Sequence, residues 1–268
     1  MIIDVHAHIY PDKIAQNAVK GISDFYEMPV MLDGTVEGLL KAGDEAGVSR
    51  FIVQSVATVH EQVQSINNFI SKSVDKYPDR LIGFGTLHPD FPDIKGEVSR
   101  MKQLGLRGIK LHPDFQRYYL DDEKAFPMYE QAEENSLPIL FHIGDPRFDF
   151  SSPQRLLNVV KRFPKLVVIG AHLCGWSLWD RTIRWDKAEE LFSHSTVYAD
   201  CSSSFYALSP EEAAEFIRKI GTHRVLWGTD YPMWNAKDEL QRFSQLSLTD
   251  EECRDILGLN ALRLLGEI

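Results

Sequence analysis

The chain has 268 residues, 44% of them hydrophobic and 25% charged, with a formal net charge of −10. Such a composition supplies a full apolar core and excludes a disordered chain, and the acidic balance excludes an ordinary nucleic-acid binder, which carries a basic face. Three widely spaced cysteines, Cys174, Cys201 and Cys253, argue against a disulfide framework, and no apolar run approaches membrane-spanning length. The expectation is a cytoplasmic protein without membrane or nucleic-acid partners. No Pro/Gly/Ser-rich linker divides it, so residues 1–268 read as a single domain.

The first predicted strand, Ile2 to Val5, leads into His6-Ala7-His8. Side chains two apart on a strand share a face at about 7 Å, so one ion can take a nitrogen from each. Residues 10–34, with their prolines, aromatics and methionines, read as a long loop of the kind that walls a site. A helix follows from the N-cap Thr35 to Gly47, then a strand over 51–56 and a helix over 60–77 that Pro78 ends. The alternation continues with strands over 81–87, 106–111, 138–142, 166–172, 196–200 and 224–229. Helices are predicted between them near 94–104, 123–135, 153–163 and 186–194, and from Ser209 to Gly221, with two short ones over 249–265. Strand–helix alternation implies a parallel sheet, and eight units at this length favour closure into a (β/α)8 TIM barrel, whose active site lies at the C-terminal strand ends.

The chemistry falls at those ends. Four of the nine histidines, His6, His8, His142 and His172, close predicted strands, and Lys110, His112 and Asp230 join them. Imidazoles with a carboxylate form an N/O set suited to zinc or another divalent first-row ion with a position open for water, whose pKa such an ion lowers towards neutrality. Manganese, iron and cobalt are the alternatives to zinc, and one ion is expected rather than two. Among loop residues, Arg147, Arg181 and Arg184 are candidates to hold a substrate carboxylate, and Trp176, Trp179, Phe148 and Phe150 to wall the pocket. His88 either lines the mouth or caps a turn.

His6-Ala7-His8, His142, His172 and Gly228-Thr229-Asp230-Tyr231-Pro232, with Asn260-Ala261 and Arg263-Leu264 near the end, resemble the amidohydrolase superfamily. More narrowly, they resemble its amidohydrolase-related branch of metal-dependent hydrolases and of aminocarboxymuconate-semialdehyde and resorcylate-type decarboxylases. The resemblance implies that His6, His8, His142 and Asp230 ligate the metal, with His172 as acid/base and Asp230 also moving a proton. It leaves Lys110 open, as a carbamylated bridge between two ions or as a contact to a substrate carboxylate, with His112 and Gln116 as further substrate contacts. Because decarboxylase-like members generally lack the lysine, the expectation is a hydrolase that cleaves a C–N or C–O bond of a small molecule by attack of metal-bound hydroxide. The alternatives are a non-oxidative decarboxylase of a small unsaturated or aromatic carboxylic acid and a non-catalytic binding protein. A homodimer is expected from family habit alone.

Overall fold

The computed structural model describes residues 1–179 and 187–268. Eight strands form one sheet in chain order: β1 (Ile3–His8), β2 (Arg50–Gln54), β3 (Leu81–Thr86), β4 (Gly108–Leu111), β5 (Ile139–Phe141), β6 (Val168–Gly170), β7 (Val197–Asp200) and β8 (Val225–Leu226). Every neighbouring pair is parallel. The two edges meet: the Val5 N–H donates to the Trp227 carbonyl at 3.0 Å and the His8 N–H to the Tyr231 carbonyl at 2.7 Å. This is the predicted (β/α)8 barrel.

Two apolar layers hold it. Ile3, Val5, Ile52, Phe84, Leu140, Ile169 and Leu226 fill the interior together with Ala261 and Leu262 of the C-terminal helix, while Ala7, Val53, Ile109, Leu111 and Phe141 pack outward against the helices. Between Asp4 and Ala7 the pairing with β2 slips by one residue, since Asp4 lies opposite Phe51 and Ala7 opposite Val53. The extra residue turns the strand over. Ile3 and Val5 can therefore face the interior in the lower half of β1 while His6 and His8 face it above, although strict alternation would put the two pairs on opposite faces.

Helices begin where the sequence places their caps. Thr35 Oγ1 accepts from the Gly38 N–H at 2.9 Å, and Ser209 and Glu212 form a complete capping box. Two expectations fail. The stretch 10–34 is not one long loop: α1 occupies Asp12–Tyr26, its apolar positions Ile14, Ala15, Ala18, Val19, Ile22 and Phe25 recurring at helical spacing. A further helix, Ala236–Phe243, stands where none was expected, capped by the Asn235 side chain on the Lys237 N–H. Among the described residues no helix is long and apolar enough to cross a membrane.

Candidate metal centre

His6, His8, Lys110, His142, His172 and Asp230 line one cavity at the C-terminal end of the barrel. His6 and His8 ride on β1, Lys110 on β4, and His142 follows β5. His172 follows β6 in a tight turn in which His172, Leu173 and Cys174 all have positive φ. Asp230, also positive at φ 58°, follows β8. Non-glycine residues in this region are uncommon and cluster at functional sites. The Trp179 indole N–H holds the first turn by donating to the His172 carbonyl at 2.9 Å. Asp4 holds the second, accepting from the Thr229 N–H at 3.0 Å and the Thr229 hydroxyl at 2.6 Å. Gly228 permits the close approach of this turn to β1, because a Cβ there would lie 2.9 Å from the His6 Cβ.

The hydrogen-bond partners dictate where the imidazole protons sit. His6 Nδ1 lies 2.9 Å from Asp200 Oδ2, His172 Nδ1 lies 3.0 Å from the Ser202 carbonyl and His142 Nε2 lies 2.8 Å from the Gly144 carbonyl. These oxygens accept, so each of those nitrogens carries the proton and the other ring nitrogen is left with its lone pair. The lone pairs of His142 and His172 face each other, and that of His6 is turned towards His8, Asp230 and Lys110. His6 Nε2 is 3.1 Å from His8 Nε2 and 3.4 Å from Asp230 Oδ1, and His142 Nδ1 faces His172 Nε2 at 3.1 Å. Burial pushes the pKa of His6, His8 and His142 well below the usual histidine value and that of His172 down to about 4, so no extra proton relieves these encounters near neutral pH. Buried acceptors aimed at one another are what a divalent cation satisfies.

His6, His8 and Asp230 form one cluster whose ligand atoms all lie within 4.8 Å of one another. His142 is not in that cluster: it pairs with His172 and is grouped instead with His112 and Asp114. Asp230 is oriented by a relay in which the Trp234 indole donates to Ser203 Oγ at 2.8 Å and Ser203 donates to Asp230 Oδ2 at 2.6 Å. That leaves Oδ1 towards the histidines. Burial raises the Asp230 carboxyl to about 7, with Ser203 and Lys110 opposing the rise. Lys110 is fully buried, and its Nζ donates to His6 Nε2 at 3.1 Å, so its ammonium occupies the lone pair that a metal would use. Burial lowers its pKa to about 8, against the pull of Asp200 and Asp230.

Asp200 was not singled out in the sequence. It accepts from His6 Nδ1, from the His172 and Ser202 N–H groups and from the Ser202 hydroxyl, and thereby orients both His6 and His172. A carboxylate closing a predicted strand was the available signal.

The expected substrate contacts fare less well. The Arg147 guanidinium makes two hydrogen bonds to Asp145, at 2.8 and 3.0 Å, a third to the Phe25 carbonyl, and stacks on Phe25, so it ties α1 to the loop after β5. Gln116 is a brace: its amide donates to the Ala57 and Leu87 carbonyls and its oxygen accepts from the His112 N–H. His112 lines the cavity but is already engaged, accepting from the Phe115 N–H, sitting 2.7 Å from the Tyr26 hydroxyl and stacking on His142 at 3.9 Å. His88 caps a turn through the Asp90 N–H. Trp176 does stand against the site, edge-on to Tyr26 at 4.9 Å. Arg181 and Arg184 lie outside the described residues.

The family model for amidohydrolases matches residues 3–266, and the chain belongs to that family. It is 22% identical over 277 residues to a gamma-resorcylate decarboxylase of Polaromonas sp., covering 82% of this chain and 84% of that protein. It is 25% identical over 245 residues to a 2-amino-3-carboxymuconate-6-semialdehyde decarboxylase of Dictyostelium discoideum, covering 76% of this chain and 66% of that one. In three dimensions it resembles a 5-carboxyvanillate decarboxylase of Novosphingobium aromaticivorans solved with manganese, at a TM-score of 0.78, 19% identity and coverage of 99% and 96% of the two chains. A 2,6-dihydroxybenzoate decarboxylase solved with 2,6-dihydroxybenzoate gives 0.78, 18% and 99% of each chain.

These comparisons overturn the hydrolytic expectation. The relatives are decarboxylases, and the weight placed on Lys110 was misplaced, since one set of ligands at a barrel mouth serves several chemistries. The chain is a divalent-metal enzyme of the amidohydrolase family. Zinc gains no particular support, whereas a solved neighbour carries manganese.

Proposed function

We propose that the protein is a metal-dependent, non-oxidative decarboxylase of a small aromatic or unsaturated carboxylic acid, with residues 1–268 acting as one catalytic domain. The observation that carries this reading is the cluster of His6, His8 and Asp230 beside a neutral His172, in a family whose matched relatives are decarboxylases. His6, His8 and Asp230 would hold the ion, with His142 as a further ligand. Bound there, the ion supplies positive charge that fixes an acidic substrate and draws electron density from it. Manganese is the metal of choice.

The remaining work belongs to the chain. Decarboxylation breaks the bond between the ring or alkene carbon and the carboxyl carbon, releases CO2 and adds one proton to the carbon left behind. Asp230 passes that proton on from solvent to the carbon, while Ser203 holds its Oδ2. His172, its Nδ1 proton committed to the Ser202 carbonyl, presents Nε2 as the base that accepts the proton of a substrate hydroxyl. Tyr26 and Trp176 cover this end of the cavity and exclude water from it.

The test is product analysis in D2O with metal-loaded protein and a panel of hydroxybenzoic and unsaturated acids. The proposal predicts CO2 release and one deuterium at the carbon that lost the carboxyl. Absence of CO2 across the panel overturns it.

A further inference from the structure

The cavity above the candidate metal centre measures about 730 Å³. Pockets of that size take drug-sized ligands. A one-ring acid seated at His6, His8 and Asp230 leaves much of it open, and the rest is lined by Ile14, Ala18 and Ile22 of α1 together with Ile66 and Phe69 of the helix Val63–Lys76. Away from the metal centre its charged lining residues are two cations, Lys13 and Arg117, and one carboxylate, Asp114, which accepts from the Ser151 hydroxyl. Gly21 also lines it, and a Cβ built there meets nothing within 4 Å. Glycine inside a helix costs stability relative to residues with a side chain. Its place on this wall of α1 keeps open a space that most side chains would enter.

Resting on the decarboxylase reading, we infer that the substrate carries an apolar arm several carbons long on the ring or alkene, that the groove between α1 and the helix Val63–Lys76 binds that arm, and that Gly21 sets the groove's width. The metal centre then selects the acid and the groove selects the substituent. Burial of two or three methylene groups makes a ligand roughly tenfold tighter.

The experiment is calorimetric titration of metal-loaded wild type and Gly21→Leu with salicylate and with a hexyl-substituted salicylate, with CO2 release followed in parallel. The expected result is a hexyl derivative bound at least about tenfold tighter than salicylate by wild type, with the ratio falling to about one in Gly21→Leu. Leucine favours helix over glycine, so α1 is retained. Equal affinities in wild type, no binding of either acid, or a preference that survives both Gly21→Leu and Ala18→Trp would overturn the inference. The two readings fail separately: tail-dependent binding without CO2 release leaves the groove standing and removes the reaction, and CO2 release without tail dependence does the reverse.

Discussion

Asp200→Asn isolates the tautomer argument on which the metal centre rests. Asp200 takes the His6 Nδ1 proton on Oδ2, and on Oδ1 it takes the His172 N–H, the Ser202 N–H and the Ser202 hydroxyl. An asparagine has one acceptor oxygen. If it faces the three donors, its amide NH2 faces His6 Nδ1 and drives the imidazole proton to Nε2, the nitrogen that lies 3.1 Å from His8 Nε2. Recovering the ligating tautomer then sets N–H against N–H, at the cost of a hydrogen bond to a charged group, about 1.5–3 kcal/mol. That corresponds to roughly 10- to 150-fold in metal affinity, in line with the losses of about 10- to 100-fold seen when the outer partner of a metal-bound histidine is removed. The assay is competition for Mn²⁺ against a metallochromic chelator, with circular dichroism to confirm the fold. A dissociation constant within twofold of wild type would refute the reasoning, because the proton on His6 would then not be governed by Asp200.

Gly228→Ala forces a Cβ to within 2.9 Å of the His6 Cβ, and it should weaken metal binding at least about tenfold while leaving the far-UV spectrum intact. Glu97 is 2% exposed, pairs with Arg100 at 2.7 Å and accepts from Asn67, whose side-chain oxygen takes the Thr86 N–H at the end of β3. Glu97→Gln should therefore cost about 2–4 kcal/mol at pH 7, measured by chemical denaturation. Arg100 and Asn67 hold the Glu97 pKa below its usual value against burial, so its contribution is present above the unfolded-state pKa and lost as pH falls through the lower folded value. The gap between wild type and Glu97→Gln should accordingly close on acidification below about pH 4.5, and a gap constant with pH would contradict this. Arg147→Met should loosen α1, read as faster proteolysis near residue 26, with a KM change below about threefold. A KM rise of two orders of magnitude would return Arg147 to the role of carboxylate anchor.

The barrel was legible because its strands are short apolar runs and its helices carry strong punctuation, such as Ser209-Pro210 and Thr35. The histidines were legible for a related reason: a polar residue ending an apolar run at a barrel's mouth has few structural reasons to be there. α1 was missed because Pro11, Gly21 and the aromatic pair Phe25-Tyr26 mask a helical period with residues that suggest a loop. The inversion of β1 at its bulge depends on β2, the left-handed turn at His172 on Trp179 and Asp200, and the one at Asp230 on Asp4 holding Thr229 from the other end of the chain. No local pattern announces them. Arg147 and Gln116 misled for the opposite reason: their chemistry suits a ligand, but Asp145 and the carbonyls of Ala57 and Leu87 claimed it first. The reaction itself was beyond reach of the ligand set, which hydrolases and decarboxylases share.

The most direct test of the account is the metal content of protein purified without chelator or histidine tag and loaded with Mn²⁺, compared between wild type and His8→Ala by elemental mass spectrometry. The account predicts about one equivalent per chain in wild type and near-complete loss in His8→Ala. Failure of the wild type to retain metal after loading, or a full equivalent retained by His8→Ala, would contradict it.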